Sequence, residues 1–321
     1  MEKYFKYFVV VLVLLYLVVQ SWITENKVEE QKNSISTVIK QIKDVQFAVA
    51  VKDQPYIPDS IHFFGGVVPL HIYGVWDDID YWIRYYTSPK NRWRISYYLE
   101  KKDQYFSWLE KTLKEQNILD DAKYIPVTES ELNLTVVSRA GAKGSWQFMP
   151  ATARQNKLIV NNQIDERAHF EKATLAACND LRSRYKDFEG FVPFERWMFT
   201  LASYNTGAGN VWKSIKVDGE RSYFLLSSLL SETEQYIPRT IAIKLIMQNP
   251  ERYGFVKDVT FGGPSVRLVV NYSLRQFKSW AQIAKEFGVS KKEIRRANPY
   301  ILNKDGISKG VYTLRIPERN K

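Results

Sequence analysis

The spacing of apolar positions changes along the chain, and each change marks a boundary. Lys3 and Lys6 lead into an uninterrupted apolar run from Tyr7 to Val19, followed by Gln20, Ser21, Trp22 and Ile23. A membrane-spanning helix needs about 20 apolar residues, so residues 1–23 read as a signal anchor or a signal peptide. No small-x-small cleavage site follows and no cysteine stands there to carry a lipid, which favours the uncleaved anchor. Either reading sends the rest of the chain out of the cytoplasm. Residues 24–56 are mostly polar and charged, with Ile35, Val38 and Ile42 at helical spacing, and read as a stalk or linker. Pro55, Pro58, Gly65, Gly66 and Pro69 punctuate an irregular connection up to about Leu70.

A helical rhythm then takes over. From Asp77 to Asn117 it is rich in aromatics, and Leu109 and Leu113 fall on one helix face. Further helices are expected over Asp121–Leu132, Pro150–Leu158, Arg167–Tyr185, Glu195–Asn205 and Glu232–Gln248. In the third of these, Phe170, Thr174, Ala177, Leu181 and Tyr185 keep the spacing of a buried stripe. After Gly254 the texture changes again. Val266–Val270 is strand-like, Ser279…Gln282 and Ser290…Glu293 each fit a helix N-cap with its third-position partner, and Gly310–Ile316 returns to strand character. The order β-α-α-β suits a small separate module. The fold class is thus mainly α, with a membrane segment ahead of the helical region and a small α+β module behind it.

Composition narrows the function. With 45% hydrophobic and 25% charged residues the chain can bury a sizeable core. An aromatic content of 14% suits a carbohydrate groove, where sugar faces stack on rings, and equally suits an aromatic core. The net charge of +11 calls for an anionic partner. Leu268–Lys321 carries twelve basic residues against four acidic ones, so the C-terminal segment holds most of the excess. No zinc-finger or RRM-type motif supports nucleic acid as the partner. The single cysteine, Cys178, lies on a helical stripe and reads as a buried structural thiol. His62, His71 and His169 lack ligand spacing, so no metal is expected, and no cofactor.

Candidate chemistry starts at Pro126-Val-Thr-Glu129-Ser130. On a helix, Ile125 and Leu132 share the face of Glu129, and Glu131 falls on the opposite, solvated side. A carboxyl on an apolar face is desolvated and holds its proton towards neutral pH, as a general acid for glycoside cleavage requires. The bland reading, a helix-end glutamate paired with an arginine, remains open on spacing alone. Three more segments follow in order: Gly141-Ala-Lys-Gly144-Ser-Trp146-Gln147-Phe-Met149-Pro150, Ala202-Ser-Tyr204-Asn205-Thr-Gly207, and Glu232-Thr233-Glu-Gln-Tyr236-Ile-Pro238-Arg239.

Together these four motifs resemble the lytic transglycosylases of the goose-lysozyme-like (SLT) fold, and within them the membrane-bound murein transglycosylase D type. The resemblance covers residues 57–255 and implies a lysozyme-like helical catalytic domain. It implies that Glu129 is the catalytic acid/base and that Ser130, Gln147, Met149, Tyr204, Asn205 and Tyr236 line the substrate site. Trp146 reads as core rather than ligand. Ser145, Ser203 and Thr206 depart from the family's usual residues beside the motifs without removing any motif residue. The implied reaction cleaves peptidoglycan glycan strands without water, leaving 1,6-anhydro-N-acetylmuramic acid ends, on the periplasmic side of the cell envelope. A scaffold that only binds the wall, or a hydrolytic muramidase with a second carboxylate such as Glu131 or Glu232, are the alternatives. Residues 256–321 resemble a degenerate LysM module, which implies glycan binding. Its positive charge alternatively implies attraction to the acidic wall.

Overall fold

The computed structural model describes residues 57–255 and 266–318. The expected membrane segment and stalk lie outside the described residues. Among the described residues no helix is long and apolar enough to cross a membrane.

A two-residue hairpin, β1 (His62–Phe63) with β2 (Gly66–Val67), precedes the helices. The helical stretch expected from Asp77 to Asn117 is two helices, α1 (Val75–Thr87) and α2 (Trp93–Glu115). Pro89 explains the break: its ring pushes the preceding residue out of the helical region, and Ser88 is extended at φ −60°, ψ 149°. The segment expected as one helix over Asp121–Leu132 is also divided, into a 3-10 turn at Asp120–Tyr124 and α3 (Ile125–Ser130). Then come α4 (Pro150–Gln155), α5 (Phe170–Asp187), α6 (Pro193–Thr206), α7 (Ala208–Asp218), the single turn α8 (Ser231–Glu234) and α9 (Tyr236–Gln248). Helix α7 was not expected. Gly207, at φ 87°, both ends α6 and starts α7, so what the sequence shows as a stop is a corner.

Helix α9 organises this body. It is buried at nearly every position from Tyr236 to Met247, the pattern of a helix enclosed on all sides. It packs against α1, α2, α3 and α6. Its N-terminal turn therefore meets the C-terminal turn of α3, and Thr128 and Thr240 bridge their hydroxyls at 3.0 Å. Cys178 is buried on α5, as its stripe predicts, and burial pushes its thiol up to about 11. Residues 249–255 form a short 3-10 turn, Pro250–Tyr253, ended by Gly254 at φ 76°.

The C-terminal module has the expected order. Strand β3 (Val266–Leu274) pairs antiparallel with β6 (Gly310–Pro317), with an irregularity between Val269 and Tyr272. A small pair, β4 (Lys278–Ser279) with β5 (Gly306–Ile307), lies beside it. Helices α10 (Trp280–Phe287) and α11 (Lys291–Ala297) each begin with a complete capping box, Ser279/Gln282 and Ser290/Glu293. A module this small buries too little surface to be robust alone. Rather than standing apart, it closes its core of Trp280, Ile283, Ile294, Tyr300 and Leu314 over Ala168 of the helical body.

Candidate active site

Glu129 occupies the last turn of α3. That helix stops at Ser130 because Glu131 and Leu132 both adopt the left-handed conformation, at φ 58°. For non-glycine residues this costs about 1–2 kcal/mol each, so the turn must be held from outside. Arg94 is ion-paired with Glu131 Oε1, Tyr98 lies 3.3 Å from the same oxygen, and the Leu132 amide donates to Pro126 O at 3.1 Å. Two expectations are thereby corrected. Leu132 does not share the face of Glu129 by helical repeat, and Glu131 is a half-buried ion-pair member rather than a solvated residue.

The residue facing Glu129 comes from the start of α9. Tyr236 is buried and its hydroxyl donates to Glu129 Oε1 at 2.7 Å. Burial pushes the Glu129 carboxyl up to about 7. The Tyr236 hydrogen bond and the charge of Arg239 pull it back, and Glu232 adds a smaller push upward. Burial and the nearby Glu129 charge hold the phenols of Tyr204 and Tyr236 well above their ordinary range, so both remain protonated donors. The Tyr204 hydroxyl donates to Trp146 O at 2.7 Å. The neighbouring Asn205 accepts at Oδ1 from Thr233 Oγ1 at 2.7 Å, joining α6 to α8.

Gln147 and Met149 lie on the loop between α3 and α4. Gly144 takes φ 84°, and an added Cβ would fall 1.8 Å from Arg167 O, so only glycine fits there. Gln147 itself has φ 47° and donates from Nε2 to Gly144 O at 2.8 Å. Met149 is exposed just before α4. Trp146 is fully buried, its Nε1 donating to Thr174 Oγ1 at 2.9 Å, which makes it core as expected. Ser130 is buried, with Oγ 2.9 Å from Ser145 O and 3.1 Å from Pro126 O. Its hydroxyl ties the Glu129 helix to this loop.

Some partners were not anticipated. Arg239 lies three residues after Tyr236, on the same helix face. It donates from Nε to Tyr86 Oη at 2.9 Å and sits 5.4 Å over the Trp82 ring. Trp82 Nε1 in turn donates to Gln235 Oε1 at 2.8 Å, and Gln235 Nε2 to Asp78 Oδ1 at 2.9 Å. Arg239 stands in the fourth sequence motif, where its spacing from Tyr236 could have signalled it. Nothing local signalled its α1 partners, which lie some 150 residues earlier.

The resulting site holds one carboxyl that burial raises towards neutral pH, beside a phenol donor and within the field of the Arg239 charge. Comparison with known proteins bears on the family that the chain resembles. Residues 106–226 match the transglycosylase SLT domain family. The SLT stretch contains Glu129, Ser130, Gln147, Met149, Tyr204 and Asn205, whereas Tyr236 and Arg239 lie beyond it. Over 223 residues the chain is 27% identical to the membrane-bound lytic murein transglycosylase D of Escherichia coli strain K12, covering 68% of this chain and 48% of that protein. The protein of the same name from a second Escherichia coli strain gives the same figures. The chain thus spans about half the length of the curated relatives it matches. The solved 70 kDa soluble lytic transglycosylase of Escherichia coli is similar at 20% identity and a TM-score of 0.40, over 56% of this chain and 32% of that one. The resemblance seen in four short motifs therefore extends to the sequence around them, and it is to SLT lytic transglycosylases of the D type.

Proposed function

We propose that this protein is a peptidoglycan lytic transglycosylase with a lysozyme-like catalytic domain, in which Glu129 is the single acid/base. The observation that carries this reading is the Glu129 carboxyl, raised to about 7 by burial and met by the Tyr236 hydroxyl at 2.7 Å. An acid poised near working pH is the efficient one. Glu129 protonates the glycosidic oxygen between N-acetylmuramic acid and N-acetylglucosamine, and the bond from that oxygen to C1 breaks. The muramoyl C6 hydroxyl attacks C1, its proton passes to the Glu129 carboxylate, and a 1,6-anhydro ring closes. The acid is regenerated, and no water is consumed. The nucleophile belongs to the same sugar, so its effective concentration is high. The site's charges favour one carboxylate over two, since Glu131 is engaged by Arg94 and Glu232 is exposed.

In this reading Gln147, Met149, Tyr204, Asn205 and Tyr236 line the glycan cleft, and Ser130 positions it through Ser145. The apolar run of residues 7–19 anchors the enzyme to the membrane, with the catalytic domain on the periplasmic side. The C-terminal module adds affinity for the wall. Lys291, Lys292, Arg295, Arg296 and Lys304 line a groove of about 640 Å³ on it. Trp280 turns inward there, 1% exposed, with Nε1 donating to Asn303 O at 3.0 Å. A groove with cations and no exposed ring attracts carboxylates of the wall more readily than it stacks on sugar faces.

Mass spectrometry of purified peptidoglycan after digestion tests the reaction. Anhydro-muropeptides are expected from the wild type and not from Glu129→Gln. Reducing-end products would replace the proposal with hydrolysis, and wall binding without products from either protein would replace it with a scaffold.

A further inference from the structure

The loop carrying Gln147 and Met149 is held partly by its own hydrogen bonds, Ser138 N to Ala142 O at 2.8 Å and Gln147 N to Gly144 O at 3.1 Å among them, and partly by Ser130 and Tyr204, which donate to Ser145 O and Trp146 O. Its backbone closes through Lys143 N to Phe148 O at 3.1 Å and Gly144 N to Val136 O at 3.1 Å. Arg167, which is 7% exposed, grips it from a further side. Arg167 Nη1 donates to Gly141 O at 2.8 Å and to Phe148 O at 3.0 Å, so one guanidinium spans both limbs of the loop. The Arg167 carbonyl is also the group against which Gly144 packs. The rest of the guanidinium is locked by a fork on Asp165, from Nε to Oδ1 and from Nη2 to Oδ2, both at 2.9 Å. Lys143 of the loop reaches Asp165 Oδ2 at 3.0 Å. Burial opposes the charge on Asp165, but its hydrogen bonds from Arg167 and Lys143 outweigh this and hold its carboxyl below the ordinary range.

The brace is in turn held by the C-terminal module. Asp165 N donates to Tyr300 O at 2.8 Å and Leu302 N donates to Gln163 O at 2.9 Å, on either side of an antiparallel bridge between Ile164 and Ile301. Just beyond, His169 is fully buried with Nε2 3.0 Å from Thr313 O, and its ring lies 4.7 Å from that of Tyr300. Arg315 of β6 stands 3.4 Å from Glu171. The module thus holds both flanks of the Asp165–Arg167 brace.

We propose that the C-terminal module is a structural arm of the active site, and that Arg167 is the positioning residue through which it fixes the Gly141–Met149 loop. Its contribution to turnover rests on the reading of that loop as a cleft wall. Its contribution to loop order does not.

The test compares the full-length protein with Ile301→Asp, which disrupts the docking bridge, and with Arg167→Lys, which keeps the charge and loses the fork. Amide hydrogen exchange reads the loop, and kcat and KM on isolated glycan strands read the site. In both variants the Lys143, Gly144 and Gln147 amides are expected to lose at least tenfold in protection while the amides of α9 keep theirs. The kcat is expected to fall at least tenfold with a smaller change in KM. Unchanged loop protection in either variant overturns the proposal. So does equal loss across α9, which would mean that the contact serves the whole fold. Loop protection lost with no detectable turnover by the wild type would leave the arm standing and remove the transglycosylase reading instead.

Discussion

Glu129 behaves unlike a surface glutamate because burial and its neighbours act on it in opposite directions. Burial raises it, while Tyr236 and Arg239 restrain the rise to about 7. Two consequences follow for experiment. Turnover depends on the protonated acid, so its pH profile should fall through an apparent value near 7. In Tyr236→Phe a restraint is gone, so the falling limb should move to higher pH. The lost hydrogen bond to a charged group, about 1.5–3 kcal/mol, should also lower the rate by roughly 10- to 150-fold. An unshifted limb would mean that Glu129 is not the titrating acid. The second consequence concerns stability. Between the ordinary value of 4.5 and about 7 the folded protein holds a proton that the unfolded chain has lost. Stability at this residue therefore falls as pH rises through that window. Glu129→Gln has no such decline, so its melting temperature should gain on the wild type from pH 5 to pH 8. A constant difference would show that the folded carboxyl is not raised.

At the scale of elements, the sequence was clearest where the determinants are local. Ser279/Gln282 and Ser290/Glu293 give both helix starts in the C-terminal module because a capping box is complete within four residues. Trp146 reads as core rather than ligand and is fully buried, whereas Arg239 stood in the fourth motif unremarked, although its three-residue distance from Tyr236 could have marked it. The turn after Ser130 was not. Two consecutive left-handed residues that are neither glycine nor asparagine are held there by Arg94 and Tyr98, more than 30 residues away. Arg167 was equally silent, since its grip on Gly141 and Phe148 exists only after the chain has returned to that loop. Glycines in this loop offer a test of the grip. Gly141 and Gly144 both have positive φ, 91° and 84°, but an added Cβ meets nothing within 4 Å at the first and Arg167 O at 1.8 Å at the second. Both alanine substitutions carry the conformational penalty, which exceeds about 1 kcal/mol. Gly144→Ala should cost clearly more in urea denaturation and should also reduce turnover. Equal costs would mean that the contact with Arg167 relaxes freely.

For the whole molecule, the question is what the excess positive charge does. The groove cations Lys291, Lys292, Arg295, Arg296 and Lys304 have no acidic side chain within salt-bridge distance among the described residues. Lys123, by contrast, is matched by Glu110 and Asp120, and Lys244 by Asp121. Unmatched cations in one groove repel each other, and an anionic ligand relieves that repulsion. The same module also braces the active-site loop, so deleting it would confound binding with catalysis. Charge reversal on the exposed face of α11 avoids this, because Lys291 and Arg295 take no part in the docking contacts. In a Glu129→Gln background, which removes cleavage, Lys291→Glu with Arg295→Glu should weaken co-sedimentation with purified wall at low salt by at least fivefold. The difference should shrink as the screening length drops from about 10 Å at 0.1 M to about 3 Å at 1 M. A wild type whose wall binding ignores salt would mean that sugar contacts, and not these charges, hold the module to its polymer. Blocking the wall's carboxylates by amidation should reproduce the effect of the reversed charges. If it does not, the groove's anionic partner lies elsewhere in the envelope.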